Sequence, residues 1–223
     1  MSSKLESIKV IAASLLGDAS LEKGYGANRQ ARFRISQIEQ HKDHLDYIAP
    51  YIETFTSYHY YTRNCAGGSV IKGKNVTLKN SITLSSKVHP VFTRMYNRMY
   101  GTGKKCVDPH YLTLIDAQFL AVWFQQDGYM DRPTDAINPT PQPKICTDSF
   151  SYADCMSLRV AIIEKTGFIF NTHKRKTSSG ALQYRLALSR KQTNQFIEYI
   201  APYVQPSFKY KLELTRQSIS SDI

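Results

Sequence analysis

The sequence predicts an α+β fold of two similar lobes, and three observations carry that prediction. A short run occurs twice: Ile11 to Ala19 reads IAASLLGDA and Leu120 to Gly128 reads LAVWFQQDG. Each is an apolar helical stretch with alanine second (Ala12, Ala121) that ends in an aspartate beside a small residue. A second run repeats too, DYIAPY at Asp46 to Tyr51 and EYIAPY at Glu198 to Tyr203. Between these runs lie segments with the two-residue alternation of half-buried strands. Each half of this duplicated chain reads helix, two strands, helix, two strands, helix, an order that folds into an α+β lobe. Tyr100 to His110 (YGTGKKCVDPH) connects the halves, so lobes are expected over residues 1–103 and 113–223, with 104–112 as linker.

The first helix is expected to start at Ser3, spaced from Glu6 as in a reciprocal cap between a hydroxyl and an acid three residues on. Thr113 and Asp116 repeat that spacing ahead of the second special run. Each helix should then run about four turns to its aspartate. Ile8, Ile11, Ala12 and Leu15 form one apolar face, and Phe119, Ala121, Val122 and Phe124 its counterpart, with alanines small enough for two helices to approach closely.

Strand-like segments follow: RFRISQI from Arg32, SYHYYTRN from Ser57 and NVTLKNSITL from Asn75, then PKICTDS from Pro143, FIFNTHKRK from Phe168 and ALQYRLALS from Ala181. Val76, Leu78, Ile82 and Leu84 are expected to face helices, with Thr77, Lys79, Ser81 and Thr83 facing solvent. Leu182, Tyr184, Leu186 and Leu188 oppose Gln183, Arg185 and Ser189 in the same way. Arg32 and Arg34 alternate with Phe33 and Ile35, and Asn171, His173 and Arg175 form another polar row before the turn Thr177 to Gly180. A two-stranded ribbon with such rows fits the major groove of DNA, where arginine or lysine reads guanine and glutamine or asparagine reads adenine. A merely solvated sheet face is the alternative. The candidate DNA contacts are Arg32, Arg34, Ser36, Thr77, Lys79, Ser81, Lys144, Asn171, His173, Arg175, Gln183 and Arg185.

The chain has 223 residues, 42% hydrophobic and 12% aromatic, enough for one sizeable core or two small ones. Its 29 Lys+Arg against 18 Asp+Glu give a net charge of +11, which points to a polyanionic partner, nucleic acid first. Cys65, Cys106, Cys146 and Cys155 form no CxxC pair, so free thiols in a reducing compartment are expected rather than a metal or disulfide framework. No apolar stretch approaches the roughly 18 residues of a membrane span, and MSSKLESIK lacks the apolar core of a signal peptide. A soluble intracellular protein is therefore expected, with organelle and bacterial or phage-infected cytoplasm both open.

An aspartate at a helix C-terminus faces the negative end of the helix dipole, a placement that a bound cation makes favourable. Asp18 and Asp127 brought together would form a divalent-metal site. Oxygen ligands with retained waters suit magnesium (Mg2+), and metals beside two carboxylates serve phosphodiester hydrolysis. Asp followed by Gly is also an ordinary helix stop, but its duplication argues for the site. His41 and His44, in HKDH, are expected at a solvent-exposed helix start.

SLLGDAS from Ser14, YLT from Tyr111 ahead of LAVWFQQDG, TDSF from Thr147 and PYVQPSFKYKL from Pro202 together resemble the LAGLIDADG homing endonucleases that carry both motifs in one chain. The resemblance spans nearly the whole sequence. It implies two pseudo-symmetric αββαββα lobes about a pseudo-twofold axis, motif helices at the lobe interface, and antiparallel sheets forming a DNA-binding saddle. It also implies a monomer that makes a double-strand break in a long DNA target by Mg2+-dependent hydrolysis, cutting across the minor groove to leave short 3′ overhangs. Asp18 and Asp127 would be the metal-binding catalytic carboxylates, with the carbonyls of Gly17 and Gln126 as further ligands.

By the same resemblance Lys105 and Lys211, ahead of their neighbours Lys104 and Lys209, would polarise water or the scissile phosphate. Plain phosphate contacts are the alternative for both. Gln37 and Asp148 would order water. Two departures stand out: Ala19 where the family usually has glycine, and Gln125-Gln126 before the second aspartate. Some relatives are RNA-binding maturases that assist intron splicing, with or without DNA cleavage, so intron RNA is a second candidate partner. A silent DNA-binding repressor is a third reading.

Overall fold

The computed structural model describes residues 3–24, 29–64, 68–71, 74–77, 79–132, 141–177 and 179–214, with 68–71 and 74–77 described by backbone alone. The first lobe comprises α1 (Lys4–Leu16), β1 (Ser20–Lys23), β2 (Ala31–Ile38), α2 (Lys42–Glu53), β3 (Tyr58–Arg63), a hairpin of β4 (Gly68–Ile71) and β5 (Lys74–Thr77), β6 (Ser81–Ser86) and α3 (Pro90–Met99). The short α4 (Pro109–Leu112) leads into the second lobe: α5 (Ala117–Asp127), β7 (Gly128–Asp131), β8 (Gln142–Cys146), α6 (Tyr152–Thr166), β9 (Phe170–Lys176), β10 (Leu182–Leu188) and α7 (Thr193–Ile200). A 3-10 segment, Pro206–Leu212, follows. The two main sheets are antiparallel with equivalent orders, β1-β2-β6-β3 and β7-β8-β10-β9.

The caps explain where the two special helices begin. Ser3 accepts from Glu6 N at 3.1 Å, as expected. The second start is corrected: Asp116, not Thr113, accepts from Phe119 N at 2.9 Å, while the Thr113 hydroxyl donates to His110 O at 2.8 Å. Thr113 closes the turn after α4, so α5 is shorter than expected at 11 residues. α5 runs straight into β7 and α1 reaches β1 after three residues, and both strands are too short to show alternation in the sequence.

The run NVTLKNSITL is also corrected, since it divides between β5 and β6 rather than forming one strand. Lys79 and Asn80 interrupt it, and Asn80 breaks the apolar phase, although Val76 and Leu78 before it share that phase with Ile82 and Leu84 after it. β6 then lies between β2 and β3, with Ile82 and Leu84 against the core. The expected position of Leu78 and the side chains of Val76 and Thr77 lie outside the described residues.

α1 packs against α5 between the lobes, with Ala12, Ala13 and Ala121 all essentially buried. Small side chains permit this close approach, and the flanking Ile11, Leu15, Phe119 and Phe124, each fully buried, contribute about 1.5–3 kcal/mol apiece. Polar contacts set the helix register. Lys9 Nζ meets Asp116 Oδ2 at 2.6 Å, and Gln118 Nε2 donates to the hydroxyls of Tyr47 and Tyr51 at 2.7 and 2.8 Å. Cys106, Cys146 and Cys155 are free thiols, and Cys65 lies outside the described residues. No helix among the described residues is long and apolar enough to cross a membrane.

Candidate functional site

The two motif helices end side by side. Asp18 N donates to Gln126 Oε1 at 2.8 Å, joining the end of the first motif to the residue before Asp127. Gly17 is demanded by this approach, because a Cβ there would collide with the Gln126 side chain. Gly128 is demanded likewise by Phe124, whereas Ala19, its counterpart after Asp18, is accommodated and buried.

Asp18 is exposed, and its Oδ2 accepts from Gln37 Nε2 at 2.6 Å. Gln37 reaches it from the face of β2 that also carries Phe33 and Ile35. Asp127 is half-buried. Burial, reinforced by the negative charge of Asp18 and opposed by Lys105, pushes its carboxyl up to about 7.

A lysine caps each helix end. Lys105 Nζ donates to Gly17 O at 3.1 Å and Ala19 O at 3.4 Å. Lys211 Nζ donates to Gln125 O at 2.6 Å and Gln126 O at 3.4 Å. The carbonyls that a helix leaves unpaired thus receive cations where the dipole is negative. Burial brings Lys105 down to about 8 against the pull of Asp127 and Asp18, and lowers Lys211 as well. Lys104 and Lys209 are exposed instead.

The two carboxylates and the carbonyls of Gly17 and Gln126 are hard oxygen donors, the chemistry that suits magnesium or manganese rather than a soft metal. No group of three or more His, Cys, Asp or Glu able to hold a metal occurs among the described residues. A cation here would therefore complete its shell with water or phosphate oxygens. It would also relieve the repulsion that Asp18 exerts on Asp127. The residues fit a divalent ion.

Asp148 does not mirror Gln37. It lies in the turn beyond β8, where its carboxylate takes both Nε and Nη2 of Arg185 at 3.1 and 3.0 Å. A guanidinium fork opposite a carboxylate makes a two-pronged pair that holds Asp148 on the outer sheet face.

Cross-strand partners share a face of a sheet. The pairings Arg185 with His173 and Cys146, Gln183 with Arg175, and Ala187 with Asn171 and Lys144 put the predicted second-lobe row on one face. Arg32 and Arg34 occupy the corresponding face of the first sheet with Ser36 and Ser81; Ser36 bonds Thr83 at 2.7 Å. Asn171, His173 and Arg175 are exposed. Others are already paired: Arg32 and Arg34 with Glu22, Arg34 also with the Tyr61 hydroxyl, and Lys144 with Asp131 at 2.6 Å. Lys79 is exposed in the link before β6, and the Thr77 side chain lies outside the described residues.

The sequence reading missed His59, Tyr61 and Arg63, which register with Ser85, Thr83 and Ser81 on the same outer face. The alternation in SYHYYTRN was the available signal. It also misplaced His41 and His44, which are 9% and 0% exposed rather than at a solvated helix start. Burial drives His44 down to about 4, so it is neutral near pH 7.

The model of the LAGLIDADG DNA endonuclease family matches residues 8–196. Cytochrome b mRNA maturase bI2 of Debaryomyces hansenii is 25% identical over 208 residues, covering 93% of this chain and 73% of the maturase. DNA endonuclease I-ChuI of Chlamydomonas applanata is also 25% identical over 208 residues, covering 91% of this chain and 92% of its own. Protein RecA of Mycolicibacterium flavescens is 24% identical over 217 residues, and the chain spans 46% of its length. Among solved structures, the homing endonuclease I-WcaI bound to its DNA recognition sequence aligns at a TM-score of 0.71 and 18% identity, over 96% of this chain and 88% of that one. A variant of I-DmoI in complex with its target DNA, in the presence of 2 mM manganese, aligns at 0.51 and 16% identity, over 92% and 100%.

Proposed function

We propose that this chain, which belongs to the LAGLIDADG DNA endonuclease family, is a monomeric, site-specific, Mg2+-dependent homing endonuclease that makes a double-strand break in a long DNA target. The observation that carries this reading is the meeting of the two motif ends, where Gln126 bonds Asp18 and the charges of Asp18 and Asp127 act on each other. The basic, hydrogen-bonding sheet faces suit a duplex, and the manganese-containing I-DmoI complex supports a divalent ion. The chain's lobes span 1–103 and 113–223, joined through 104–112.

Asp18 and Asp127 would hold the metal, with the carbonyls of Gly17 and Gln126 as further oxygens. When bound, the ion supplies Lewis-acid activation of water and stabilisation of the leaving oxygen. Gln37 fixes the direction of the Asp18 carboxylate. Lys105 and Lys211 place positive charge beside the carboxylates, where it offsets charge developing on the scissile phosphate. Each lobe would cut one strand across the minor groove.

The test is double-strand cleavage of the target by Asp18→Asn and Asp127→Asn. Each should lower cutting by about 10³-fold or more, beyond the loss of a single charge-stabilising donor, while DNA binding persists. Undiminished cutting by both variants overturns the assignment. The maturase similarity over 93% of this chain favours one further reading, an RNA-binding maturase that assists intron splicing, with or without DNA cleavage. Splicing of the flanking intron, measured beside cleavage of the intronless allele, separates the two.

A further inference from the structure

Lys211 lies outside both sheets, on the 3-10 segment Pro206–Leu212, so something else must fix its ammonium. The start of α2 in the other lobe does so. Asp43 Oδ2 accepts from Ser207 N at 3.0 Å, and Asp43 Oδ1 accepts from the Ser207 hydroxyl at 2.6 Å. The His41 ring stacks on Phe208 with centroids 4.1 Å apart and planes 22° apart, and Lys211 Nζ sits 5.2 Å from the Phe208 centroid. The lysine's aromatic support therefore rests on a first-lobe histidine.

His44 continues the connection into the centre. Its Nδ1 is 3.2 Å from Gln205 Oε1, and its Nε2 is 3.0 Å from Gln126 Nε2. Gln126 Oε1 accepts from Asp18 N, which leaves its Nε2 as the end that must donate to His44. His44 Nε2 thus accepts, and Nδ1 carries the proton that it donates to Gln205. One tautomer and one amide orientation satisfy the whole chain of contacts, from the Lys211 segment through the first lobe and back to the Asp18 backbone. Lys105 is held across the lobes in its own way: its Nζ sits 5.7 Å from the centroid of second-lobe Phe150, and Val107 N, two residues on, donates to Asp154 Oδ1 at 3.0 Å. On the first-lobe side, Cys106 N bonds Met99 O at 2.8 Å.

We infer that His41, Asp43 and His44 are positioning residues for Lys211 and Gln126, so that the first lobe sets the geometry of the second lobe's half of the centre. The inference rests on the nuclease reading. Its test follows the two strands of a duplex target separately, each with its own end label. Asp43→Ala and His41→Ala should slow the strand served by Lys211 about 10–100-fold, the range for residues that orient a metal site, and accumulate a singly nicked product at unchanged DNA affinity.

Two controls separate positioning from general damage to the fold. Asp43→Asn keeps one of the two acceptor oxygens facing Ser207 and should restore the strand balance in part, and His41→Phe keeps the stack and should restore it more fully. In a Lys211→Ala background, Asp43→Ala should add almost nothing, because the group that it positions is gone. Equal slowing of both strands, no slowing, or full additivity with Lys211→Ala overturns the inference while leaving the nuclease reading intact. Absence of cutting by the wild-type chain sinks that reading and the inference with it.

Discussion

The two halves of the centre contain equivalent parts held by unlike surroundings. Asp18 is exposed and hydrogen-bonded by Gln37, whereas Asp127 is half-buried and its carboxyl is pushed up to about 7. Lys105 comes from the connection between lobes, beside Val107 that Asp154 holds, and Lys211 comes from the segment Pro206–Leu212, where Asp43 holds Ser207 and the His41 ring backs Phe208. Duplication therefore repeated the carboxylate, the helix end, the cation beneath it and a cross-lobe aspartate that holds the lysine's segment, but not the burial of the carboxylates or the aromatic and histidine contacts around each lysine. Those groups are where the strands of a bound duplex would meet different environments.

Removing the lysines one at a time probes this asymmetry most strongly. Lys105→Ala and Lys211→Ala should each slow one strand about 10²–10³-fold, and the slowed strand should differ between them, as resolved strand-specific cleavage kinetics would reveal. Slowing of the same strand by both would show that the lysines act as one group. A smaller contrast separates Gln37 from Asp148. Gln37→Ala should cost about 10–100-fold in cutting by freeing the Asp18 carboxylate, while Asp148→Ala should leave the chemical step unchanged under saturating DNA and instead alter binding through Arg185. An equal loss in the chemical step for both would restore the mirrored roles.

The smallest effect concerns the sheets. Arg175 is exposed, whereas Arg32 is paired with Glu22 at 2.8 Å and must exchange that partner for a phosphate. Arg175→Ala should reduce the slope of log affinity against log salt by about 1, and Arg32→Ala by less. Equal slope changes in binding titrations would mean that the Glu22 pairing gives way on contact.

The alternation in RFRISQI read β2 to within one residue, because apolar Phe33 and Ile35 pack on one side while Arg32 and Arg34 face the other. The same rule failed in NVTLKNSITL, where the apolar residues on either side of Lys79-Asn80 share one phase although the strand stops between them. It gave no guide to Asp148, which lies past the strand end and answers to Arg185. His41 and His44 looked solvated because their neighbours in HKDH are polar. Their cover comes from residues such as Phe208, far along the chain.

Local order along the chain determined the two helices, their terminal aspartates, the polar rows of the strands and the surplus of positive charge. Caps and periodicity act over a few residues, so they are visible without a fold. Tertiary structure alone decided that Gln126 bonds Asp18, that Lys105 and Lys211 reach different carbonyls, and that Asp43 holds Ser207 from 164 residues away. Hydrogen-bond direction and desolvation depend on which distant groups share a buried space, and no short stretch of sequence records that.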